Sequence, residues 1–165
     1  MKTIIIGFST PNTFKIGAEL IKLWTDSSFS HVYIRYIDDQ DRDIVFQAAH
    51  GSVHPILYTN FIKSNKTINE YRIQFTNTEY QQLRDFYYSE MGQLYSYKEL
   101  LMIVVYDTLD MFNIKIKEDN IPGYICSELA ATMLQQIKGY TYNKQLNLIR
   151  PNDLYEVLEN KYGDS

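Results

Sequence analysis

One cysteine, one tryptophan, three histidines and four prolines are the scarce residues of this 165-residue chain. A single cysteine excludes an intramolecular disulfide framework and fits a reducing compartment. Basic residues are outnumbered, 16 Lys and Arg against 20 Asp and Glu, giving a net charge of -4 and a pI near 5.3. No basic stripe is present to neutralise phosphates, so no nucleic-acid partner is expected. No apolar run approaches the ~20 residues of a membrane span, and stable membrane insertion is not expected. The apolar start Met1–Phe8 is too short for a signal peptide and polar residues follow at once. The expected location is therefore the cytoplasm in which the chain is made, a host cytoplasm if the chain is virus-encoded. Repeats, low-complexity segments and linkers are also missing, so residues 1–165 read as a single domain.

What is abundant is apolar and aromatic: 45% hydrophobic residues, with 15 tyrosines among them. Lys2–Phe8, His31–Ile37, Ile44–Ala49 and Asn69–Phe75 read as strands from β-branched and aromatic content, the last by alternation of Tyr71, Ile73 and Phe75. Val53–Tyr58 adds a short strand that Pro55 confines to an edge. Ser9–Asn12, Asp38–Asp43 and His50–Ser52 read as turns, and Asn147–Arg150 as a last strand. Ile16, Leu20, Leu23 and Trp24 mark one face of a first helix. Capping boxes at Thr76–Glu79 and Ser96–Glu99 open two more, the former with Tyr80, Leu83 and Tyr87 inward and a stop at Gly92. Pro151 opens a terminal helix with Leu154, Val157 and Leu158 inward. Segregated strands and helices make the class α+β.

The chemistry concentrates on Tyr124–Leu134. Pro122 and Gly123 break the preceding chain, Leu129, Ala130, Met133 and Leu134 recur at helical spacing, and Gly139 stops the helix. Cys126 then stands at a helix entrance, where unpaired N–H groups and the dipole favour thiolate. A lone cysteine is otherwise an inert buried residue, and only a base nearby makes it a nucleophile. His31 begins a strand after a serine-rich link. Gln47 is a polar interruption in the partner strand, and a buried amide needs a hydrogen-bond partner such as a cross-hairpin imidazole. His50 is the reserve candidate. His50 and His54 with Cys126 suggest a metal only if 50–54 is helical, which Gly51 and Pro55 oppose, so neither metal nor cofactor is expected. Tyr80, Phe86, Tyr87 and Tyr88 read as core and surface packing.

Taken in order, Ser30-His31-Val32-Tyr33-Ile34, Val45-Phe46-Gln47-Ala48, Gly92-Gln93-Leu94-Tyr95, Tyr124-Ile125-Cys126-Ser127-Glu128 and Ile149–Leu154 form a pattern. It resembles the circularly permuted branch of the NlpC-type, papain-like cysteine hydrolases, the YiiX-like group within it. The resemblance implies a permuted papain-like fold with the cysteine helix packed on an antiparallel sheet. It implies Cys126 as nucleophile, His31 as base and Gln47 as its orienting group, where relatives often carry an acid or a histidine. The Cys126 N–H and Tyr95 would bind the oxyanion. The implied activity is a thiol hydrolase that cleaves an amide or peptide-type bond through an acyl-enzyme, its substrate a peptide, a peptidoglycan-like amide or an acyl group. A non-catalytic cleft-binding protein, for example a virus-encoded antagonist, and a lipid acyltransferase or thioesterase are the alternatives on the same fold.

Overall fold

Stretches rich in β-branched and aromatic residues produce the strands, with clear alternation at Tyr71, Ile73 and Phe75. The computed structural model describes residues 1–14, 18, 19, 22, 27–94 and 125–163. The strands are β1 (Lys2–Pro11), β2 (His31–Ile37), β3 (Asp43–Ala49), β4 (Ser52–Leu57) and β5 (Asn65–Phe75). They form one antiparallel sheet in the order β4-β3-β2-β1-β5. Among the described residues the helices are α1 (Tyr58–Ser64), α2 (Asn77–Glu90), α3 (Cys126–Lys138) and α4 (Pro151–Tyr162), with a 3-10 turn at Leu146–Leu148.

One sheet face carries the main core. Ile6, Phe8, Val32, Ile34, Phe46 and Ile73 are buried there against side chains of α2, α3 and α4. From α3 come Leu129, Ala130, Met133 and Leu134, the residues expected from the helical spacing. Each such large side chain contributes about 1.5–3 kcal/mol by leaving water. The opposite face holds a smaller cluster of Tyr33, Val45 and Phe61, closed by α1. There Arg35 is gripped by Asp43 at 2.8 and 2.9 Å and by Glu70 at 3.0 Å, and its guanidinium lies 3.4 Å over the Tyr58 ring. That stack ties α1 to the sheet.

The expected α+β class, hairpin β2–β3, edge strand β4 and helices α2, α3 and α4 are present. Thr76 and Glu79 form the capping box of α2, and Gly139 ends α3 in the left-handed region at φ 67°. Three expectations are corrected. Ser9–Pro11 is not a turn but continues β1, because β5 starts earlier than expected and pairs Thr10 with Lys66 and Pro11 with Asn65. Asn147–Arg150 is not a strand. Its backbone finds side-chain partners instead: the Ile149 carbonyl accepts the Ser127 hydroxyl at 2.5 Å, and the Arg150 N–H donates to Asp153 at 2.9 Å. On α2 the third buried residue is Phe86, with Tyr87 only partly covered. Residues 18, 19 and 22 of the expected first helix are helical, while Ile16, Leu20, Leu23 and Trp24 and the helix expected from Ser96–Glu99 lie outside the described residues.

Candidate functional site

Residue parity in β2 sends His31, Tyr33 and Arg35 to the α1 face and Val32, Ile34 and Tyr36 to the core face. The β2–β3 ladder pairs Ile34 with Phe46 through Ile37 with Asp43 and stops there. The first three residues of β2 are therefore unzipped from β3. The Val32 amide lies toward Cys126 and opposes the rise that burial gives its thiol. Cys126 is the first residue of α3, after Ile125 as N-cap, so the thiol stands at a helix entrance as expected. It is 6% exposed and belongs to the main core cluster.

His31 lies one residue before that amide, on the other face. Its Nε2 is 2.7 Å from Gln47 Oε1, so the pairing across the hairpin that the sequence invites is formed. An amide oxygen only accepts, so Nε2 carries the proton of this hydrogen bond. The ring also lies 6.3 Å from that of Phe61 beneath α1. His31 and Gln47 thus meet at the start of β2, where the neighbouring Val32 adjoins Cys126. Tyr95 lies outside the described residues.

The electrostatics differ from the expectation of a thiolate. Burial pushes the Cys126 thiol up, and the amides of Val32, Ser127 and Cys126 itself only partly oppose this. Desolvation outweighs the helix terminus here, because the sulfur is almost sealed from water. Glu128, in the same first turn, is also raised, to about 7, by burial, against the Ile125 N–H, with repulsion from Glu90 adding to it. Sequence reasoning gave Glu128 only a favourable first-turn charge; its burial comes from tertiary packing that the spacing does not reveal.

His50, the reserve candidate, and His54 belong to the β3–β4 turn and to β4. His50 is exposed, in the β3–β4 turn, with φ 50°. His54 faces Gln47 across the β3–β4 ladder and its Nδ1–H donates to the Ser52 carbonyl at 3.0 Å. Residues 52–57 are strand, so the helical spacing that a metal site would need is not formed there. Among the described residues no group of three or more His, Cys, Asp or Glu is placed to hold a metal ion. Among them, too, no helix is long and apolar enough to cross a membrane. At the far end of β2, Tyr36, Tyr80, Tyr87 and Tyr88 line a cavity of about 510 Å³. The tyrosines of α2 thus do more than fill core: Tyr88 is 62% exposed at its wall.

No family model and no curated protein matches this chain. Among solved structures it is similar to the metalloprotein YiiX of Escherichia coli O157:H7, a DUF1105 protein. The two share 18% identity and a TM-score of 0.57, over 100% of this chain and 83% of that one. The likeness is one of fold: an α+β, YiiX-like arrangement.

Proposed function

We propose that this protein is a thiol hydrolase of permuted papain-like fold that cleaves an amide-type bond at Cys126. The observation that carries the reading is the end of β2. There one strand offers its Val32 amide to the nucleophile candidate and, one residue earlier, a histidine whose proton is fixed on Nε2 by Gln47. In this reading Nδ1 is the base.

In this reading the resting pair is neutral. His31 Nδ1 takes the Cys126 proton as sulfur bonds to the acyl carbon, and the carbonyl electrons move to oxygen beside the first N–H groups of α3. Collapse of that intermediate breaks the bond to the leaving amine, which receives the proton from His31. Water then repeats the sequence on the acyl-enzyme, with His31 as base and afterwards as acid. Gln47 holds the ring in one tautomer throughout, stabilising imidazolium less than a carboxylate would.

The test is acylation by p-nitrophenyl acetate, followed by mass spectrometry. An acetyl adduct on Cys126 is expected, absent in Cys126→Ala and formed about 10²–10⁴-fold more slowly in His31→Ala. Equal rates with and without His31 would overturn the pair.

One observation favours a second reading, a binding protein that retains the fold without catalysis: the thiol is buried and shifted toward its neutral form. That reading predicts no adduct in the wild type and an unchanged biological effect in Cys126→Ala.

A further inference from the structure

The cavity between α2 and the β2–β3 turn has a volume of about 510 Å³, within the range of small-molecule sites. Neither Cys126 nor His31 lines it. Tyr36, on its wall, stands five residues along β2 from His31, about 16 Å at the strand rise. Tyr80, Arg84, Tyr87 and Tyr88 reach it from successive turns of α2. Tyr87 and Tyr88 meet edge to face with centroids 5.3 Å apart, and Tyr36 meets Tyr87 likewise at 6.3 Å. Walls of this kind suit a flat ring.

The polar groups of the rim are unequal in donors and acceptors. Arg42 and Arg84 line the cavity, and the Lys2 ammonium adds a third cation, 4.9 Å over the Tyr80 ring and 3.9 Å from Asp39. Among the described residues of the lining only Asp38 and Asp39 oppose them. Asp38 is spent on its own turn: Oδ1 accepts the Gln40 and Arg42 amides at 2.9 Å, and Oδ2 accepts Arg42 Nε at 2.8 Å. Asp39 Oδ2 accepts Arg84 Nη1 at 2.6 Å. A guanidinium carries five N–H groups, and these bonds use only some of them. Burial raises Tyr36, Tyr80 and Tyr87 above the ordinary phenol value, so each keeps its proton and is a further donor. Donors and positive charge are therefore in surplus here, in a chain whose net charge is -4.

We propose that this cavity binds an aryl phosphate, its single aromatic ring among the tyrosines and its phosphate on Arg42 and Arg84. A phosphate monoester presents three terminal oxygens, which suits two guanidiniums and an ammonium on one rim, whereas a carboxylate fills a single fork. The aspartates hold the two guanidiniums in place, and their oxygens already accept from protein donors. Both arginines are exposed, so the phosphate stays partly hydrated at the mouth while the ring enters between the tyrosines. The site stands apart from the hydrolase reading and does not rest on it.

The experiment is an NMR titration of the full chain with phenyl phosphate, compared with inorganic phosphate and with phenol. Phenyl phosphate is expected to bind with a Kd on the order of 1 mM or below, as a ligand of its size allows. It should bind at least about tenfold more tightly than either comparator, and shift the ring signals of Tyr87 and Tyr88 but not those of Tyr140, which pairs with Tyr162 instead. Arg42→Gln and Arg84→Gln should each weaken it about tenfold. Tyr88→Leu should weaken it several-fold and leave inorganic phosphate unchanged. Equal affinity for inorganic phosphate and phenyl phosphate would mean an adventitious ion only and overturn the proposal. So would binding that ignores both arginine substitutions, or no shift of the tyrosine signals at about ten times the expected Kd. The wild-type titration decides the matter even where a variant fails to fold. Failure of the hydrolase reading shows instead as a missing Cys126 adduct, and Cys126→Ala should bind phenyl phosphate as the wild type does.

Discussion

The ring of Tyr33 occupies the space that a β-carbon on Gly7 would need: such a carbon would lie 2.1 Å from Tyr33 Cζ. Gly7 and Tyr33 are directly paired across β1 and β2, and the ring reaches over the glycine to donate to Glu70 at 2.8 Å. Gly7→Ala should therefore displace Tyr33 and cost about 1–3 kcal/mol. At about 2–4 °C per kcal/mol for a domain of this size, the loss is readable by thermal melting. In the Gly7→Ala, Tyr33→Ala double variant the two costs should add to less than their sum.

Gln47 is 4% exposed and accepts the His31 proton. Gln47→Ala leaves a partly buried N–H without its acceptor and should destabilise by about 1–3 kcal/mol in chemical denaturation. Gln47→Glu should instead raise the His31 pKa by about 1–2 units, because a carboxylate favours the imidazolium. A His31 titration that is indifferent to Gln47→Glu would remove Gln47 as the orienting group.

Cys126 is a thiol rather than a thiolate near neutrality, since burial holds its proton on. Iodoacetamide should label it more slowly than free cysteine at pH 7 in the folded protein. The rate should climb with pH to a midpoint above the ordinary thiol value of about 8.5. Rapid labelling at pH 6 would show a preformed ion pair and overturn the neutral resting state.

Glu128 gives the fold a pH dependence. Its folded-state pKa, about 7, lies above the ordinary carboxyl value of 4.5. Its contribution is fully present below about pH 4.5 and is lost as pH rises through 7. A shift of this size corresponds to an order of 3 kcal/mol. Glu128→Gln should match the wild type at pH 4 and exceed its stability at pH 8, by up to that amount, in urea unfolding at the two pH values.

Much of this arrangement is legible from residue pattern. The cysteine at a helix start, the Gly139 stop and the His31–Gln47 hydrogen bond follow from local chemistry: a break before an apolar helix, and a polar residue inside an apolar strand. What sequence alone could not supply is non-local. The thiol's charge state depends on burial by elements distant in the chain, which overrides the helix terminus. Helix α1 has seven residues, no capping side chain and one buried side chain, Phe61, so periodicity had nothing to detect. The burial of Ser9 was hidden because Ser9–Asn12 reads locally as a turn, and only pairing with the early part of β5 extends the strand.

Strand β4 forms one margin of the sheet, and its outward backbone groups are largely taken or missing. The Val53 N–H donates to the Gln93 carbonyl at 2.8 Å, and its own carbonyl accepts from Gly92 at 2.8 Å. Two residues on, Pro55 presents no amide hydrogen at all. A second copy approaching this rim would find too few donors to zip against, so the sheet terminates instead of propagating into fibrils. The same proline that marks the strand as peripheral thus also blunts this rim as a template for another strand.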